Sequence, residues 1–369
     1  MRIDRIELRL IALRLHEPFR ISSGTTWDRR ILIVRMEGEG VVAWGECVAD
    51  ETPHYAYETV DTARLVIETW LAPAILGRTF ESAAAVAAAL ERAVRGHPMA
   101  RAALEMAAWD LEARVRGTSL AALLGAVRPA VPSGVSIGIQ QSLPELVDRV
   151  RRYVEEGYRR IKIKIAPGWD IEPVARIRDR FPDTPLMVDA NSAYTLADAD
   201  HLARLDTFGL TMIEQPLGVD DLLDHALLQR RLATPICLDE CISSPARCAE
   251  AIHLGSGRIV NIKPGRVGGH AASLRIHHMC AEAGIPVWCG GMLESGIGRA
   301  HNVALAALPG FTLPGDTSAS RRYWARDVID PGFILEDGCL PVPTGPGIGV
   351  DVDAPFLAAR SEWTRTLTA

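Results

Sequence analysis

Hydrophobic and polar positions follow two different rhythms along this chain. From residue 1 to about 48 they alternate, in Ile3 to Leu10, Ile31 to Met36 and Gly40 to Gly45, with turn-formers between. A period of two predicts half-buried strands, here a small antiparallel sheet. Thr52-Pro53 reads as a helix start, with Tyr55 to Leu71 as the helix. The alanine-rich stretch Glu81 to Val94 and the stretch Met99 to Arg116 predict two more helices, the second closed by Gly117. The first 125 or so residues thus read as an α+β unit.

The second rhythm pairs short apolar runs of buried-strand length with helical patterns. The runs are Val131 to Gly138, Ile161 to Ile165, Leu186 to Val188, Thr211 to Ile213, Pro235 to Leu238, Arg258 to Ile262, Ile285 to Cys289 and Phe311 to Leu313. Helical patterns fill the gaps, among them Leu196 to Leu205, Asp220 to Leu232, Gly269 to Ala283 and Gly298 to Leu308. Repeated strand–helix units predict a parallel barrel. The period stops after Pro314, and residues 318 to 369, with many Pro and Gly, are expected to return to the first unit.

Composition narrows the class. With 369 residues, 48% of them hydrophobic, the chain can bury a large core and is not a disordered one. A net charge of −6 with no basic patch argues against nucleic acid. No apolar run approaches transmembrane length, and Met1-Arg2-Ile3-Asp4 leads straight into a strand rather than a signal peptide. Seven cysteines, none in a Cys-x-x-Cys pair, read as reduced, mostly buried thiols of a cytoplasmic protein. Ten histidines without a His-Glu-x-x-His spacing are assigned structural or solvent roles.

Charge at the strand ends carries the chemistry. The third, fourth and fifth runs end in Asp189, Glu214 and Asp239, spaced 25 residues apart. One acid after a strand is ordinarily a helix N-cap. Three at one period converge at a barrel mouth, where they repel one another unless a hard cation such as Mg²⁺ neutralises them. In Ile161-Lys162-Ile163-Lys164-Ile165 the alternation puts both lysines on one face, toward the lumen, with an exposed edge strand as the alternative. Lys263 takes the strand-end place on the sixth run, so Lys164 and Lys263 face each other across the mouth with the acids between. That set suits removal of a proton α to a carboxylate. A divalent metal stabilises the enediolate, and a lysine whose pKa is brought down from about 10.4 by a neighbouring cation such as Lys162 takes the proton. Arg266, three residues after Lys263, is expected to lower the Lys263 pKa in the same way.

These residues stand in recognisable motifs. Lys162-Ile163-Lys164, Asp189-Ala190-Asn191, Glu214-Gln215-Pro216, Asp239-Glu240 and Asn261-Ile262-Lys263-Pro264 resemble the enolase superfamily, more narrowly its muconate-lactonizing subgroup. The stretches Gly290 to Asn302 and Leu313 to Ser320 are similar to those of N-succinylamino acid racemases and o-succinylbenzoate synthases. The resemblance implies an α/β fold: a modified TIM barrel, (β/α)7β, over 126–317, with an α+β capping domain over 1–125 completed by about 318–369. It implies Asp189, Glu214 and Asp239 as ligands of Mg²⁺, with Mn²⁺ or another divalent ion able to substitute. Lys164 and Lys263 become the acid–base pair, assisted by Lys162 and Asn191. Two cap loops, Phe19 to Trp27 and Asp50 to Tyr57, would close on substrate, with Phe19 and Tyr55 over it. Ser136, Met292 and Leu293 would line the acyl side, and Glu240 would stand behind Lys263 or the metal.

The activity implied is racemisation of N-acyl amino acids together with o-succinylbenzoate synthase dehydration. The partner is a small carboxylate, with neither nucleic acid nor membrane, and the assembly a homo-oligomer. Departures from sister groups support this. The seventh run carries no His, Asp316 is followed two places on by Ser318 rather than a second Asp, and Gly-Arg-Ala-His-Asn is unlike the cycloisomerase pattern. A muconate-type cycloisomerase is the alternative within the class. A phosphate-binding barrel lyase or aldolase using the Gly290-Gly291 turn, or a non-catalytic descendant of the fold, would have no use for two opposed lysines.

Overall fold

The computed structural model describes residues 1–22 and 24–369. Its strands are β1 (Arg5–Ile21), β2 (Gly24–Gly38), β3 (Val41–Cys47), β4 (Ala130–Pro132), β5 (Gly134–Ile137), β6 (Arg160–Lys164), β7 (Leu186–Asp189), β8 (Ile213–Glu214), β9 (Ile236–Leu238), β10 (Ile259–Ile262), β11 (Val287–Cys289), β12 (Cys339–Pro341) and β13 (Ser361–Thr368). Strands β1, β2, β3 and β13 make an antiparallel sheet in the order β13-β1-β2-β3. The chain's last strand thus pairs with its first. Strands β5 to β11 make a parallel sheet in sequence order, curled into a barrel as the strand–helix repeat predicts.

The eighth run is no regular strand. Residue Phe311 bridges to Val287 on one edge of the sheet, and Gly315 bridges to Ser133 at the other, so the barrel closes through single bridges. Pro314 has no N–H to donate to a ladder, which explains why regular pairing fails there.

Alternation along the barrel strands sorts outside from inside. On β6, Ile161 and Ile163 face the helices and the lysines face the lumen, where both are buried. Met187, Met212, Cys237, Ile259 and Trp288 fill the lumen below the mouth as a separate apolar plug. The acids therefore sit on a packed floor.

Two expected elements differ. Residues 51–58 form bends and turns, and the helix starts only at Val60, with Thr59 and Thr62 in a reciprocal capping box. Glu58 cannot join that helix because its carboxylate caps another. It accepts from Met99 N at 2.8 Å and Ala100 N at 3.0 Å, at the start of the helix Pro98–Val115. The stretch expected as a loop over Phe19 to Trp27 is a hairpin, with Phe19 opposite Thr26 and Ile21 opposite Gly24. It leans on the barrel through Arg20 O, which accepts from Ile139 N at 2.9 Å, and Ser22 Oγ, which donates to Asn191 O at 3.1 Å. The expected helix Leu196–Leu205 is a shorter α-helix, Ala199–Ala203, between two 3₁₀ turns.

The helix Pro98–Val115 joins the two units. Glu105, buried, accepts from His270 N and Ala271 N, both at 2.8 Å, at the start of the barrel helix His270–Glu282. Asp110 accepts from Trp44 N on β3 and Ile348 N, both at 2.7 Å. His270 and His301 pair beside it at 3.0 Å, and burial holds both rings below the usual histidine pKa, hence neutral. All seven cysteines are free.

Candidate active site

The strand register builds the site. Lys164, Asp189 and Glu214 stand in one row across β6, β7 and β8. Asp239 and Lys263 each follow the last residue of their strand, β9 and β10. All five are buried. Lys164 Nζ donates to Asp189 Oδ2 at 2.6 Å and to Asn191 Oδ1 at 2.7 Å. Lys263 Nζ donates to Asp239 Oδ2 at 2.7 Å and to Tyr55 Oη at 3.0 Å. Lys162 Nζ donates to Glu214 Oε2 at 2.9 Å, and Asn261 Nδ2 to Glu214 Oε1 at 2.7 Å.

Charges set the protonation states. Burial pushes the Asp189 carboxyl up, but Lys164 and Lys162 pull it below the ordinary range. Burial does the same to Asp239, and Arg266 and Lys263 pull it lower still. Glu214 is the exception: burial, then Asp189 and Asp239, raise it to about 8 against the pull of Lys162. The expected depression of Lys263 is reversed. Burial and Arg266 lower its pKa, but Asp239 and Tyr55 raise it more, so it ends well above the usual lysine value. Arg266 does not act on Lys263 alone. It pairs with Asp239, donates to Tyr55 Oη at 3.2 Å, and is pinned by the carbonyls of Ile242 and Asn261.

The donor set fits a divalent metal by its chemistry. Three buried carboxyl groups on neighbouring strands offer only hard oxygen. Beside them Glu240 Oε2 is buried with no hydrogen-bond partner among the described residues. Asp189, Glu214 and Asp239 each face a lysine or arginine, and among the described residues no three ligand side chains aim at one point.

A cavity of about 70 Å³ opens between cap and barrel. Lys164, Lys263, Asn191, Phe19, Tyr55, Met292 and Leu293 all line it. Ser136 does not: it is buried on β5 opposite Lys162, its Oγ without a partner among the described residues. Glu240 bonds Asn191 Nδ2 at 2.9 Å rather than Lys263. That bond orients the Asn191 amide, because a carboxylate oxygen accepts only and so turns the amide oxygen toward Lys164. Ile21, Thr26, Asp50, His54 and Gly291 also line the cavity. Their segments are named above, but no single residue among them carries a chemical signal in the sequence. Gly290 serves close approach. A Cβ there would lie 2.6 Å from Lys263 Cε, so this turn makes room for the lysine.

A barrel whose strand ends carry acids between two lysines, under an α+β cap, defines a class. The chain belongs to the enolase superfamily: residues 5–125 match the mandelate racemase / muconate lactonizing enzyme N-terminal domain, and residues 145–356 the enolase C-terminal domain-like family. Within it, the chain is 54% identical over 351 residues to an N-succinylamino acid racemase of an Amycolatopsis species, covering 95% of each. It is 50% identical over 352 residues to an o-succinylbenzoate synthase of Geobacillus kaustophilus, covering 95% of this chain and 94% of that one. The crystal structure of an enolase-superfamily member from Listeria innocua superposes with a TM-score of 0.96 at 42% identity, covering 100% of this chain and 99% of that one.

Proposed function

We propose that the protein racemises N-acyl amino acids, N-succinyl ones among them, and also dehydrates toward o-succinylbenzoate. The observation that carries this is the pair Lys164 and Lys263, which reach one cavity from β6 and from the end of β10 with the acids between them. Removing a proton from one face of an α-carbon and returning one to the other needs two such groups. The relatives named above carry both activities in their names.

Asp189, Glu214 and Asp239 are proposed to hold Mg²⁺, or Mn²⁺ in its place. When bound, the ion supplies Lewis-acid stabilisation of the charge that develops on the substrate carboxylate. Lys164 takes or returns the proton on one face and Lys263 on the other. Lys162 adds positive charge nearby, and Asn191 holds Lys164 in place. Phe19, Tyr55, Met292 and Leu293 exclude water and meet the acyl group and side chain. The reading divides the chain into a cap, 1–125 with 318–369, and a catalytic barrel, 126–317. It extends to a homo-oligomer in the cytoplasm acting on a small carboxylate.

Incubation in D₂O with an N-succinyl amino acid and Mg²⁺ tests it. Wild type should wash deuterium into the α position of both enantiomers. Lys164→Ala and Lys263→Ala should each stop racemisation, each sparing exchange of at most one enantiomer. Racemisation at near wild-type rate in either variant would replace this mechanism with a one-base one.

A further inference from the structure

Below the acids the barrel holds a second charged layer. Arg160 opens β6 and shares the lumen face with Lys162 and Lys164 by alternation. It is 2% exposed, a costly place for a guanidinium unless it is fully paired. Gly134, its register partner on β5, makes room: a Cβ there would lie 2.5 Å from the Arg160 Cζ. The Cζ lies 4.9 Å from the Trp288 ring centroid. Arg160 Nη1 and Nη2 both reach Asp316 Oδ1 at 2.9 Å, and Nη2 also donates to Pro314 O at 2.9 Å. The other oxygen, Asp316 Oδ2, lies 2.7 Å from Lys162 Nζ. Lys162 Nζ in turn is 2.9 Å from Glu214 Oε2 and 3.5 Å from Asp189 Oδ2.

We infer that Asp316 is a positioning residue that shares the Lys162 ammonium with Glu214 and Asp189 and so loosens its hold on them, leaving those carboxylates available to a divalent ion. The inference rests on the proposed metal role of Asp189, Glu214 and Asp239. An ammonium this close to two of those acids is their competing counter-ion. Of the three carboxylates around Lys162, Asp316 is the nearest. Arg160 bonds only Oδ1, so Oδ2 remains the lysine's with or without the guanidinium. Asp316 also has a backbone duty, since its N–H donates to Cys289 O at 2.9 Å where the barrel closes. A strut and a positioning residue predict different responses to removal of each partner.

The test is calorimetric titration of Mg²⁺ and of Mn²⁺ into metal-free wild type, Asp316→Asn, Asp316→Glu and Arg160→Gln, with circular dichroism and Tm recorded for each. Asp316→Asn releases Lys162 to the acids and should raise the metal Kd about 10–100-fold. Asp316→Glu should recover part of that loss. Arg160→Gln leaves Asp316 holding Lys162, so its Kd should equal the wild-type value or fall below it, although its Tm drops. Wild-type affinity in Asp316→Asn would overturn the inference. So would equal weakening in Asp316→Asn and Arg160→Gln, which would make the pair a strut. Should Asp316→Asn fail to fold, Arg160→Gln decides alone, and weaker ion binding in it overturns the inference. Wild type that binds neither ion would overturn the metal reading itself, and this inference with it.

Discussion

Arg266 shows how one residue's action can be read from the sequence and its net outcome missed: it lowers the Lys263 pKa as expected, but Asp239 and Tyr55 raise it more. Its proximity to Lys263 is legible in a spacing of three residues. Its effect depends on Asp239, which lies between them in charge: Arg266 and Lys263 pair with opposite oxygens of that carboxylate. Arg266 thus competes with Lys263 for Asp239. Arg266→Gln should leave Lys263 more tightly bound to the acid and less able to shuttle a proton. Under the proposed two-base mechanism racemisation uses Lys263 in both directions, so it should fall about 10-fold further than dehydration, in which Lys263 would act as a cation. Comparing kcat/KM for the two reactions in one preparation checks this, and equal losses would assign Arg266 to the fold. Asp189, Glu214, Asp239, the lysines and Asn191 were legible because motif and strand end coincide. Arg160 stands in no motif, and the Leu313 to Ser320 stretch that holds Asp316 gave no sign of Lys162, because only the closed barrel brings the three together.

At the scale of elements, the cap reaches the chemistry through one hairpin and one stretch of turns. Phe19, on the hairpin, has its ring centroid 5.7 Å from Lys164 Nζ, and Tyr55 bonds Lys263. Phe19→Ala should change the ranking of kcat/KM among N-acyl substrates by about 10-fold, since a pocket discriminates by a few methylenes' worth of contact. A uniform loss with a lower Tm would instead assign Phe19 to cap–barrel packing. The tether at Glu105 makes a different claim. Burial raises its carboxyl to about 7, from an ordinary 4.5. A folded-state pKa above the unfolded one contributes stability that is complete below about pH 4.5 and lost as pH rises through 7. The unfolding free-energy gap between wild type and Glu105→Gln should therefore narrow from pH 5 to pH 8, by about 1.4 kcal/mol for every tenfold by which folding tightens the carboxyl's hold on its proton. Denaturant titrations at the two pH values check it, and a constant gap would mean that Glu105 is ionised throughout.

For the molecule as a whole, the site has a thermodynamic signature apart from catalysis. Three buried acids proposed to hold an ion in the folded chain and not in the unfolded one would couple metal to stability. Mg²⁺ at about 100 times its Kd should add about 2.7 kcal/mol to folding, visible as a higher Tm that chelator reverses. Asp189→Asn, Glu214→Gln or Asp239→Asn should abolish that rise together with activity. A Tm indifferent to Mg²⁺ and to chelator in wild type would contradict the metal reading.

The sequence by itself determined the barrel, because a strand–helix period and lumen-facing lysines are local patterns that survive without tertiary contacts. It determined the catalytic candidates for the same reason, each being tied to the end of a run. It misplaced the helix at 52 and the loop at 19, where Glu58 spends its carboxylate on a distant helix and a hairpin is held by the barrel wall. It also assigned Phe311 to Leu313 as a regular eighth strand, where the chain pairs only through single bridges settled by two edges far apart in the chain. Only the tertiary structure decided which charges share a carboxylate. Those pairings are set by long-range register across the barrel, where a sub-ångström choice of partner outweighs any local propensity.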